Sequence, residues 1–163
     1  MPTLDFVGVV PVNKFSFTIA PLASVTGGEK TYGTAFTVSD VENLDIAIDN
    51  GIEEWYALGE DGWVNRLMTA RSITVNMSGK RNYADTGNNT IGQDYFLDVG
   101  LANEVKLTIT FPNSDTLAIP GVLNVTGLAG GATDVDKLEF EIQIWYHYFD
   151  VAEFWALVRP VAS

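Results

Sequence analysis

The chain has no cysteine and a single histidine, His147. Disulfides, thiolate metal sites and cysteine nucleophiles are therefore excluded, and a histidine-based zinc site or catalytic triad has almost nothing to be built from. Positive charge is scarce as well: 9 Lys and Arg stand against 21 Asp and Glu, a formal net charge of -12. That is the wrong sign for neutralising phosphates, so tight nucleic-acid binding is excluded. No apolar run in the sequence approaches the ~20 residues that span a bilayer. The start, MPTLDFVGVVPVNKF, has no basic segment ahead of an apolar one, so we expect a soluble chain made in the cytoplasm. Charged residues of both signs make up only 18% of the chain, against roughly 25% in average soluble domains. Part of the surface is then expected to meet other subunits. The 163 residues suit one domain, taken as 1–163 with an arm at each end.

What the sequence does contain is period-2 alternation, which places successive side chains on opposite faces of a strand. Phe15, Phe17 and Ile19 alternate with Ser16 and Thr18, and Leu44, Ile46 and Ile48 with Asp45. The same pattern runs through Ile73, Val75 and Met77, through Val105, Leu107, Ile109 and Phe111, and through Leu138, Phe140, Ile142 and Ile144. Weaker strand signals lie near residues 34–38 and 117–126. From residue 90 to 100 the apolar residues Ile91, Tyr95, Phe96 and Val99 take helical spacing instead, with Thr90 and Gln93 as a capping-box pair and Gly100 as the stop. The expected fold is mainly β: six or seven antiparallel strands in a sandwich or partly rolled barrel, with one short flanking helix at about 90–100.

Three stretches read as irregular, and functional surface usually sits in such segments. Residues 40–61 carry eight acidic side chains and no basic one, whereas Arg66, Arg71, Lys80 and Arg81 fall within sixteen positions. Residues 127–136 are glycine-rich and read as a flexible turn. Carboxylates two apart, such as Glu139 and Glu141, lie on the polar side of regular strands, where a solvated face explains them better than acid–base catalysis or a cation site. The segment DTGNN at 85–89 lacks the later glutamate of a calcium loop, and GLAGG at 127–131 lacks the lysine of a phosphate loop. Neither a metal nor another cofactor is expected, and no nucleophile, base and orienter stand at a spacing that supports an enzyme. His147, among Trp145, Tyr146, Tyr148 and Phe149, reads as a packed or interface histidine rather than a catalytic one. Trp55, Tyr56 and Trp63 suit a protein interface, with packing over the chain's own core or a platform for sugar rings as alternatives.

The stretch ending at Asn89, DNGIEEWYALGEDGWVNRLMTARSITVNMSGKRNYADTGNN, and the later LAGGATDVDKLEFEI together resemble the major tail tube protein of long-tailed, non-contractile bacteriophages. The resemblance lies in Glu53-Glu54-Trp55, Gly62-Trp63 with Arg66-Leu67, Ser78-Gly79-Lys80-Arg81-Asn82, Gly87-Asn88 and residues 134–141. It covers residues 40–144. It implies a virion subunit without catalytic chemistry that assembles into stacked, hexameric rings, with tape-measure, terminator and baseplate or distal tail proteins as partners. DNA would pass through the lumen as cargo without being held, and an acidic wall suits that role. Lumen-facing candidates are Asp45, Ser72, Thr74, Asn76, Glu139 and Glu141. Candidates for contacts between rings or subunits are Asp49, Glu53, Glu54, Trp55, Trp63, Arg66, Arg71, Lys80, Arg81 and Asn82, with the acidic 49–61 segment meeting basic residues of a neighbour. Residues 145–163 are more apolar than the resemblance leads one to expect, and docking on a neighbouring subunit is anticipated. The alternatives are the inner tube of a contractile or secretion-type injection machine, which shares the fold, and a carbohydrate-binding β-sandwich module for decoration or receptor binding.

Overall fold

A computed structural model describes residue 9, residues 11–112 and residues 114–144. His147, the tail at 145–163 and the arm before residue 9 lie outside the described residues. Seven strands are present: β1 (Ser16–Thr26), β2 (Glu29–Tyr32), β3 (Val41–Tyr56), β4 (Val64–Lys80), β5 (Glu104–Thr110), β6 (Thr116–Ala129) and β7 (Lys137–Ile144). They form one sheet in the order β2-β1-β5-β6-β7-β4-β3, every neighbouring pair antiparallel.

That sheet is rolled, and chain length shows why. Phe36 is bridged to Ile19 on the edge of β1 away from β5, while β3 begins at Val41 on the far edge of the sheet. Five residues span at most about 18 Å, whereas six strand spacings of ~4.8 Å across a flat sheet separate these points by about 29 Å. The sheet curls until the short connection reaches, and Val38 is buried as it crosses. The apolar alternation of five strands then converges on one core, including Ile19, Val75, Met77, Leu107, Ile109, Leu123, Phe140 and Ile142. The mainly antiparallel β fold with one short helix thus stands as expected, in its rolled form.

The helix α1 covers residues 86–97 and starts earlier than the 90–100 expected. Its cap is Asp85, whose carboxylate accepts the backbone N–H of Asn88 at 2.8 Å, because a short acidic acceptor there satisfies a first-turn donor. Thr90 instead donates its hydroxyl to the Thr86 carbonyl. After its first turn α1 widens to π-helical winding over Thr90–Tyr95, with Ile91 and Tyr95 plugged into the core.

DTGNN is therefore a structural junction. The Asn88 side chain, fully buried, donates to the Ser39 and Lys80 carbonyls and accepts from Arg81 Nη1 and the Asn82 N–H. It ties the start of β3, the end of β4 and α1 together. Gly87 is required beside it, since a Cβ there would stand 1.8 Å from the Thr37 carbonyl oxygen.

A projecting hairpin as candidate assembly surface

β3 and β4 pair along their whole length, from Val41 opposite Gly79 to Tyr56 opposite Val64. The lower part of β4, residues 74–80, is also flanked by β7. Above it, residues 49–56 and 64–72 pair only with each other among the described residues. This is a two-stranded arm ~27 Å long at about 3.4 Å per residue. Residues 40–61, expected to be irregular, are mostly strand: the acidic and basic stretches of the sequence are the two sides of one hairpin. At its tip Trp63 donates its N–H to the Glu60 carbonyl at 2.9 Å across Asp61 and Gly62. Both central residues have positive φ, the conformation of the hairpin turn that Asp-Gly favours.

The arm has two unlike faces. Residues of β3 with even numbers continue the core side, so Ile48 and Ile52, opposite Ile73 and Met68, carry the apolar face out past the core. Ile48, Ile52, Met68 and Tyr56 are 54%, 57%, 46% and 70% exposed. On the same side Glu54 and Arg66 pair with each other, and Arg71 Nε lies 3.3 Å from Met68 Sδ. The other face carries Asp49 opposite Ser72, Glu53 opposite Leu67 and Trp55 opposite Asn65. An isolated two-stranded hairpin is marginal in water, and this one carries large exposed apolar side chains on both faces, Ile48, Ile52 and Met68 on one and Trp55 and Leu67 on the other.

Of the residues expected at interfaces, Asp49, Glu53, Glu54, Trp55, Trp63, Arg66 and Arg71 belong to this arm. Lys80, Arg81 and Asn82 lie at the opposite end of β4. Lys80 is exposed, 3.8 Å from Glu42. Arg81 is not a surface cation: at 9% exposure it donates to Asn88 and Asn89 and stacks on the Tyr83 ring. Asn82 bonds Asp40 at 2.6 Å. Both side chains are engaged by these bonds within the chain. Trp55 and Tyr56 are successive strand residues and face opposite sides, so with Trp63 they do not form one stacking platform for a sugar.

All six lumen candidates share the face of the sheet turned away from the core. The register places Asp45 beside Asn76, Asn76 beside Glu141 and Glu141 beside Asn124, a polar row across four strands. Ser72, Thr74 and Glu139 lie on the same side. No group of three or more His, Cys, Asp or Glu that could hold a metal ion occurs among the described residues, and no helix there is long and apolar enough to cross a membrane.

The burial of two polar groups was not legible in the sequence. Glu104, 1% exposed, stands in the alternation of β5 where solvent is expected, yet it pairs with Lys30 at 2.7 Å and accepts from the Tyr32 hydroxyl at 3.0 Å. β2 folds over that position and encloses the charge. Asn88 reads as a loop residue until α1 is seen to begin before it.

The architecture has solved counterparts. The chain matches one in the tail of an empty gene transfer agent particle refined helically with C6 symmetry, at TM-score 0.53 and 15% identity, covering 84% of this chain and 95% of that one. It shares its fold with a gene transfer agent tail protein. A second match, from the virion of a native gene transfer agent particle, has TM-score 0.51 and 14% identity over the same shares of each chain. At such identities these likenesses establish the fold and not the role. No protein-family model and no curated protein matches the sequence.

Proposed function

We propose that the chain is the wall subunit of a phage-type tail tube, arranged six to a ring, with the rings stacked into a hollow conduit for genome passage. The observation that carries this reading is the projecting arm, apolar on both faces and without a partner among the described residues, on a fold shared with a chain from a C6-symmetric tail. Covering the exposed half of each large arm side chain contributes about 1 kcal/mol, so several together favour association. Obligate interfaces of that kind are more apolar than transient ones, in keeping with the small charged fraction. The arm residues Asp49, Glu53, Glu54, Trp55, Trp63, Arg66 and Arg71 form the contacts between subunits.

The polar face with Asp45, Asn76, Glu139 and Glu141 lines the lumen in this reading. Its carboxylates act on DNA phosphates within a Debye length of ~8–10 Å and keep the passing strand from adhering. Tape-measure, terminator and distal tail proteins are the partners such a tube requires. Its place is the virion tail.

Sedimentation tests the reading. The purified chain is expected to form pelletable assemblies, and the arm variant Ile52→Asp/Met68→Asp to stay in the supernatant with unchanged circular dichroism. A variant that pellets like the parent would refute the role of the arm.

A further inference from the structure

The arm needs a counterpart, and the same chain carries a second exposed apolar surface at the end of α1. Phe96, Leu97, Val99 and Leu101 are 58%, 76%, 84% and 61% exposed. They lie where the helix gives way, through Gly100 at φ 71°, to a short 3-10 turn. Four such residues within six positions form a patch rather than scattered apolar surface. Asp94 precedes these residues and Asp98 lies among them, both exposed, and neither is in an ion pair among the described residues.

The core-side face of the arm has the opposite character. Glu54 and Arg66 neutralise each other there, which leaves Arg71 beside Met68 as the cation without a carboxylate partner among the described residues. The geometry points to a head-to-tail contact: the core-side face of one copy's arm lies on the helix-end patch of the next copy, Arg71 of one facing Asp94 and Asp98 of the other. Symmetry favours a second copy in this arrangement. A ring of more than two copies, or a helical stack built head to tail, is heterologous and needs two different, complementary patches on every chain. A two-fold pairing would instead set arm on arm or helix end on helix end, each a patch against another of the same charge sign. The contact rests on the tube reading and names the surface that the arm meets.

The lack of cysteine makes the test clean. Met68→Cys and Leu97→Cys are introduced singly and together, all at exposed positions, and oxidised mildly at a concentration where the parent is viewed by electron microscopy. The contact predicts covalent dimers when the two single variants are mixed, few in either alone, and a ladder of larger species from the double variant. Arg71→Glu is expected to raise the assembly threshold about tenfold, and adding Asp98→Arg in the same chain to restore it. If the parent forms tubes but the mixture gives no more dimer than the single variants, the contact is wrong and the tube reading stands. If the parent stays monomeric and nothing cross-links, both fall.

Discussion

Replacing Asn88 with alanine removes four hydrogen bonds made by one buried side chain, and the cost can be worked from its partners. The Ser39 carbonyl, the Lys80 carbonyl and the Asn82 N–H each lose the amide they share at 3.1, 2.9 and 3.0 Å. Arg81 keeps Asn89 at 2.9 Å and so is not stranded. A buried polar group without a partner costs about 1–3 kcal/mol. With three such groups and some entry of water, Asn88→Ala should lose about 3–5 kcal/mol. For a domain of this size one kcal/mol moves the midpoint by ~2–4 °C, so Tm should fall by about 6–20 °C. Thermal unfolding followed by circular dichroism, below the concentration of assembly, is the assay, because association would raise the midpoint by mass action. Asn124→Ala, on the exposed face, serves as control and should stay within about 0.5 kcal/mol. A fall of less than ~2 °C for Asn88→Ala would show that the junction does not hold β3, β4 and α1 together.

Two further expectations concern charge and pH. Glu104→Ala breaks a buried pair with Lys30 and should cost about 3–5 kcal/mol in denaturant titration, while Glu54→Ala removes an exposed pair on the arm and should change subunit stability by no more than ~1 kcal/mol. Burial, helped by Asp98 and Asp94, pushes the Tyr95 hydroxyl up to about 12 from its ordinary 10.0. Because the unfolded chain releases that proton first, stability should decline as pH rises from 10 towards 12. Tyr95→Phe should lessen the decline, and equal slopes for both chains would contradict the assignment. The Asp85 carboxyl is held low by the N–H groups of Asn88 and Ser39. Its contribution is therefore present above the ordinary carboxylate value of 3.8 and lost as pH falls through the lower folded value.

The legibility of the sequence followed the contrast between core and water. β1, β5, β7 and the lower parts of β3 and β4 have one face on the core, and their alternation is plain. Beyond residue 48 both faces of the hairpin are open in the subunit, so no period remains and the segment reads as irregular although its backbone pairing continues to Tyr56. β6 reads weakly because Pro120 and Gly121 interrupt it. Pro120 is tolerated because the pairing with β7 begins only at Gly121. α1 reads from its apolar residues and so loses its first turn, where polar Asp85 and Asn88 do the fixing. The candidate surface was legible in part: the acidic, aromatic and basic residues were recognised, but their meeting on one arm is a fact of register. Arg81 looked like its basic neighbours, and only the position of α1 shows it enclosed.

In the proposed function this subunit builds a tube on its own surface chemistry. Negative-stain electron microscopy of the purified chain, across a range of concentrations, tests it most directly. Six-fold rings or hollow tubes with a stain-filled lumen are expected, abolished by Ile52→Asp/Met68→Asp. Monodisperse single subunits at every concentration would contradict it.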